Sequence, residues 1–434
     1  MIELWSNTIA VSLIFSLIIV DEVKRFKMIV TPAVFFTAPF LFIILVTNFL
    51  LVYYQYPPIS LRVMWFLAGQ ALIIWLLGRA LERYFSRDTS HLKSAVDRLA
   101  EFYARYALIF IGLGLLAALF IIGKAFYLFM SHGSWHYFGH SDYEKVMSQG
   151  IIAHLIHLDK ISCFFLVLIY KKSKRSFRVL YWLVFLLSFF ALALVQIKHH
   201  ILHLILLMFL LLIITRNGRE QLKSLATGFV LIVAVFSSFW VILAYLSHIE
   251  QTSKIMNILA KYFVNYLFSG TMNLDLWMRH SYVLPQWSPL VTFRNLFHVL
   301  MGNPRIYSNV YYLSMDFSYI APATISNVAT AYGPFFLIGG WPFAVFYSIF
   351  IGALSYLFFY FSLIKSNVFV LFMNLILLVY LLFSFFGAYV LFISFYEVPI
   401  QLFLIILFIH FVHFMLHPNE EKQPESVTAG YSGS

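Results

Sequence analysis

The chain has 434 residues, of which 62% are hydrophobic, 20% aromatic and only 11% charged, and 29 Lys+Arg against 18 Asp+Glu give a net charge of +11. Soluble domains carry about 45–50% apolar and about 25% charged residues, so a water-soluble multidomain enzyme is excluded, as is a disordered or fibrous chain. What remains is an all-α polytopic membrane protein, and its single cysteine, Cys163, allows neither an intrachain disulfide nor a thiolate metal centre.

About 20 mostly apolar residues cross a hydrocarbon core. Eleven stretches fit, near 4–20, 33–54, 59–78, 106–130, 151–170, 179–196, 201–215, 225–247, 334–364, 368–396 and 398–416. The first is followed by the charged run Asp21–Lys27 without a small-residue cleavage site, so it is expected to stay as a span. The seventh is short. The ninth and tenth are long enough to tilt or break, at Gly339, Gly340 and Pro342 in one and at Gly387 in the other. Residues 1–416 are expected to form a single transmembrane domain and 417–434 a disordered cytoplasmic tail.

Alternate connections separate by charge. Asp21–Lys27, Arg79–Arg105, Lys171–Arg178, Arg216–Lys223, Lys365 and the tail hold 19 of the 29 basic residues, and the other set holds 7. Basic loops stay inside, which predicts an outer N-terminus and a cytoplasmic C-terminus. The basic runs are thus topology markers, and no nucleic-acid partner is expected. The largest outer segment, His248–Gly333, has 86 residues and many aromatics. Segments of that length are usually functional or disordered. Within it, Ile255, Ile258, Leu259, Tyr262 and Tyr266 fall on one helical face, as in an amphipathic helix lying in the membrane interface. No internal repeat occurs, which weighs against a transporter of inverted repeats. No G-x-x-x-x-G-K-S/T motif occurs either.

Eleven of the fifteen histidines lie in outer segments or at outer span ends. Lys198, His199, His200 and His203 crowd one short turn, and three readings stay open there: an anion seat at headgroup level, an interfacial cap, and a zinc pair of His199 with His203. His154 and His157 share a helix face, with Asp159 and Lys160 following. Ionisable groups inside a membrane are costly and suggest function; the alternative is an Asp–Lys or Asp–His pair that fixes packing. The long outer segment adds Arg279, His280, Arg294, His298 and Arg305. Asp142 and Glu144 form its neighbouring loop's acid pair, whereas the first outer loop, Gln55–Ser60, has no acid to hold a metal.

Four stretches carry a resemblance. Gly150-Ile-Ile-Ala-His154 opens a span, Lys198-His199-His200 forms a tight basic turn, and Tyr266-Leu-Phe-Ser-Gly270 lies in the large outer segment. Asn327-Val-Ala-Thr330-Ala-Tyr332 then runs into Gly339-Gly340. Together they resemble the O-antigen or oligosaccharide repeat-unit polymerases, the Wzy family of bacterial inner-membrane proteins. The chain departs from that pattern in a Lys where an Arg is usual and in Gly333-Pro334 where charge is usual. The resemblance implies a metal-independent glycosyltransferase without cofactor. Its substrate would be an undecaprenyl-diphosphate-linked oligosaccharide, and its partners membrane lipid and a chain-length regulator protein. It implies a diphosphate clamp drawn from Lys198, Arg279, Arg294 and Arg305, since cations stabilise a departing diphosphate. It also implies a base among His199, His200, His280 and His298, with Asn327, Tyr332, Gly270 and His154 positioning sugar or loop. An O-antigen ligase or related lipid-linked glycan transferase is the alternative, and a polysaccharide flippase the second.

Overall fold

In a bilayer the backbone N–H and C=O groups must find partners within the chain, so long apolar runs are forced into helices. The computed structural model describes residues 2–85, 88–132, 143, 146–147, 150–195, 198–246, 252–280, 318–321, 324–326 and 328–417. The first helices are α1 (Ile2–Phe26), α2 (Pro32–Phe49), α3 (Leu61–Leu81), α4 (Ser90–Ala104) and α5 (Ala107–His132). Next come α6 (Ile151–Ile169), α7 (Arg175–Val195), α8 (Lys198–Ile213), α9 (Gly218–Leu246) and α10 (Thr252–His280). A small antiparallel hairpin, β1 (Ser318–Ala321) with β2 (Thr324–Ser326), precedes α11 (Tyr332–Ile364), α12 (Val368–Leu382) and α13 (Ser394–Leu416).

The protein is an all-α polytopic membrane protein. All eleven expected spans are helical, and among the described residues nine helices are long and apolar enough to cross a membrane. The seventh expected span, α8, has 16 residues, while the eighth, α9, has 29. Local chemistry sets several starts. Pro32 opens α2, where its missing N–H costs nothing. Asn367 caps α12, its Oδ1 accepting from the amides of Phe369 (2.9 Å) and Val370 (3.3 Å).

Both expected breaks occur. Gly340 has φ 66° and ψ −150°, a region closed to side-chain-bearing residues, and with Gly339 it kinks α11. The tenth span does not continue to 396 as the sequence reading has it. The helix stops at Leu382 and passes through short 3-10 turns at Phe383–Phe385 and Tyr389–Leu391, with Gly387 between them. Helix α13 then begins at Ser394. Such irregular backbone is tolerated because protein covers it: Phe383, Ser384, Phe385, Tyr389 and Val390 are buried, and Ala331 N donates to the Ser384 carbonyl at 2.6 Å.

The basic connections meet at one end of the bundle, called here the basic end. Arg25 pairs with Glu22 and, at 3.0 Å, with Glu82, and Arg79 pairs with Asp21 at 2.7 Å. Arg98 donates to Ser366 Oγ at 2.8 Å, and Lys172 lies 4.0 Å from Glu101. Gln221 Oε1 accepts from Ile29 N (2.7 Å) and Val30 N (3.3 Å), while its Nε2 donates to the Arg216 carbonyl at 3.0 Å. One contiguous apolar core runs from α1 to α13. Its centre is α12, packed against α2, α8, α11 and α13.

Candidate functional site

The opposite end, called here the histidine end, is built on α6 and α8. Gly150 precedes α6 with φ +61° and ψ −143°, a turn only glycine makes without strain. His154 and His157 then diverge. His154 donates from Nδ1 to Glu397 Oε1 on α13 at 2.6 Å, and Gln401 joins the same oxygen at 2.6 Å. His157 turns inward and is buried, its ring 5.9 Å from that of His200.

Neither of the pairs open to Asp159 in the sequence forms. Its Oδ1 accepts from Ser188 Oγ on α7 at 2.6 Å, and Cys163 Sγ donates to the same Ser188 at 3.4 Å. Lys160 leaves by another face of α6 and donates from Nζ to His200 Nδ1 at 2.8 Å. That bond places the proton of His200 on Nε2, making that nitrogen a donor. Lys160 lies nine residues into α6, about 13 Å along its axis at 1.5 Å per residue. The start of α8 therefore lies beside the middle of α6 rather than beside its first turn.

Helix α8 gathers the remaining imidazoles. His199 lies 4.3 Å from His200 and 5.4 Å from His203, between ring centres. The His203 ring packs 4.7 Å from Tyr389, 5.6 Å from Tyr380 and 5.2 Å from Phe383. Tyr380 and Tyr389 stack at 5.1 Å across the break that ends α12. Three buried polar atoms here have no hydrogen-bond partner among the described residues: His157 Nδ1, His203 Nε2 and the Tyr389 hydroxyl. An orphaned buried polar atom costs about 1–3 kcal/mol; such atoms also occur on Glu22, Arg25 and Glu82 at the basic end, but there each belongs to an ion-paired side chain. Among the described residues no group of three His, Cys, Asp or Glu is arranged to hold a metal, although His199 and His203 stand close together.

A second polar group lies where α10 meets α3. Arg279, half exposed, pairs with Asp275 at 2.6 Å, and Asp275 also accepts from Ser60. Arg62 donates to the Met278 carbonyl at 2.9 Å. Helix α10 is longer than the expected interfacial helix, and its second half is buried from Phe268 to Met278. Of the interfacial face, the side chains of Ile255, Ile258, Leu259 and Tyr262 lie outside the described residues. Tyr266, from the same face, stacks on Phe386 at 5.6 Å. Asn273, which the sequence reading passes over, donates to the carbonyls of Ser326 (3.2 Å) and Val328 (2.7 Å) and ties the strand ahead of α11 to α10.

The structure thus brings together His199 and His200 with three residues given no role in the site implied by the resemblance, His157, Lys160 and His203. It keeps Arg279 in a separate group. Gly270 packs against the Phe385 carbonyl and the Thr330 backbone. Tyr332 is wholly buried, its hydroxyl 2.7 Å from Ser348 Oγ and its ring against Phe36, Phe66 and Tyr347. Lys198 opens α8 and His280 ends α10, but their side chains, and all of Arg294, His298, Arg305, Asn327, Asp142 and Glu144, lie outside the described residues, as does the tail from 418 onward. Tyr389 went unnoticed inside an apolar stretch, although Gly387 two residues earlier marks the irregular backbone that exposes its ring to His203.

Fold and site together define a multi-pass helical membrane protein with a buried cationic and imidazole cluster at one end. A family model matches residues 95–414, and the chain belongs to that family, a family of unknown function (DUF6337). No curated protein and no solved structure matches the chain. The matched range takes in every residue of the histidine group and leaves α1–α3 ahead of it.

Proposed function

We propose that the protein is a polymerase that joins lipid-linked oligosaccharide repeat units at the outer face of the bacterial inner membrane. The observation that carries this reading is the grouping of Lys160, His157, His199, His200 and His203 at the end of the bundle away from the basic connections. On the positive-inside rule the basic end is cytoplasmic, which turns the histidine end outward, puts the N-terminus outside and leaves the tail inside. A glycan on undecaprenyl diphosphate already has a good leaving group. The reaction then needs a base for the acceptor hydroxyl and cations for the departing diphosphate. His199 is the candidate base, His200, with Nδ1 taken by Lys160, is a donor beside it, and no metal is required. Tyr380 and Tyr389 present aromatic faces of the kind that stack on sugar rings. Membrane lipid surrounds the spans, and a chain-length regulator is the expected protein partner.

The test is surface-glycan length in cells carrying His199→Ala, His200→Ala or Arg279→Ala. Loss of a general base is expected to cut polymerisation by about 10²–10⁴-fold, leaving single capped units on gels. Full-length polymer in all three variants would sink the reading. Polymer that is made but left unattached would point to a ligase instead.

A further inference from the structure

We propose that Lys160, the first turn of α8 and the imidazoles of His157 and His203 form a seat for a phosphate-type oxyanion within the bundle. Three independent features converge on it. Lys160 is buried, and among the described residues no carboxylate bonds to it. Its sequence neighbour Asp159 accepts from Ser188 with Oδ1, leaves Oδ2 without a partner among the described residues, and acts on the ammonium only through space. An ammonium has three N–H donors, and the bond to His200 uses one.

Helix α8 begins at Lys198, and the N–H groups of a helix's first turn have no acceptor within the helix. They also form the positive end of its dipole, a natural place for an anion. Then there are the orphans: His157 Nδ1 and His203 Nε2 are each on side chains more than nine-tenths buried and have no partner among the described residues. Tyr389 adds a third unpartnered polar atom beside His203. Lys160 and the α8 amides can only donate, and each orphaned imidazole nitrogen donates when it carries the ring proton, so the group suits an oxyanion better than a cation. Phosphate suits it because several oxygens can meet several donors at once.

The ligand chemistry is therefore a phosphate or diphosphate group, on a prenyl lipid or free in solution. Only the choice of a lipid carrier rests on the polymerase reading; the anion seat stands without it. Full-length protein in lipid nanodiscs would be titrated by calorimetry with two probes, farnesyl diphosphate and inorganic pyrophosphate. The wild type is expected to bind at least one, and Lys160→Met to weaken that binding by about tenfold or more, the cost of losing a charged hydrogen bond. Lys160→Arg should retain binding, and so should Lys124→Met, whose ammonium lies over the Tyr127 ring on α5.

Binding of farnesyl diphosphate alone would identify a lipid-borne phosphate, and equal binding of both a free phosphate group. Replacing a buried ammonium with an apolar chain of similar length should leave the protein folded, and a thermal melt checks this. If neither probe binds the wild type, or if Lys160→Met binds as well as the wild type, the seat does not exist. Lost probe binding in Lys160→Met with unchanged glycan length in cells would keep the seat and count against the polymerase.

Discussion

The two ends of the bundle bury polar groups in opposite ways. At the basic end, Glu22 and Glu82 meet Arg25 within the packed core, and Asp21 meets Arg79 at its more exposed edge. At the histidine end, Lys160 bonds to a neutral-capable ring, and among the described residues no carboxylate bonds to it. Burying a charge is expensive unless it is paired. The basic end meets that cost internally and reads as a clamp between α1 and α3. The histidine end leaves it unmet, which is the signature of a place that a ligand completes.

This contrast gives its largest test at the basic end. Removing one member of a buried ion pair strands the other, at a cost of about 3–5 kcal/mol. Arg25→Ala should therefore lower the thermal midpoint of the purified protein sharply, because Glu22 and Glu82 lose their shared cation. Lys160→Met strands no acid bonded to it and should leave the midpoint unchanged or higher. Equal destabilisation by both substitutions would erase the distinction between the two ends.

A smaller effect probes what does hold the histidine end. There α10 approaches the break after α12 so closely that a Cβ on Gly270 would collide with the Phe385 carbonyl and stand 3.3 Å from the Thr330 nitrogen. The obstacle is backbone, which cannot swing aside as a side chain can. Overpacking of this kind costs about 1–3 kcal/mol, so Gly270→Ala should lower the midpoint by less than Arg25→Ala. An unchanged midpoint would show that α10 is only loosely docked.

The sequence made much of this legible, for identifiable reasons. That the long apolar runs are helices follows from their length, and the shared end of the basic connections follows from their alternation. His199 and His200 were visible as a dense cluster. The partner of Lys160 was not, because a bond between residues 40 positions apart depends on how deeply α8 is sunk beside α6. The placement of α10 was also hidden. An amphipathic face fits a membrane interface and a bundle groove equally well, and only packing against Ser326–Thr330 decides. Nor could apolar content distinguish α12 from α13. Both are strongly apolar, yet α12 is mostly buried and α13 mostly exposed.

The smallest expected effect lies outside the spans, where the basic end meets water. Asp88 precedes α4 and accepts from the Ser90 amide at 2.8 Å, and that hydrogen bond holds its carboxyl below the usual carboxylate value. A depressed value means that the charged form is favoured in the folded protein. Its contribution is therefore present above the unfolded pKa and is lost as pH falls through the folded one. The Ser90 amide shift in NMR spectra should titrate with an inflection on the acid side of an ordinary aspartate, and Asp88→Asn should remove that inflection. Asp88 is exposed, so the global midpoint should hardly move between the two proteins. An inflection at or above the ordinary value would mean that the start of α4 does not hold this carboxylate.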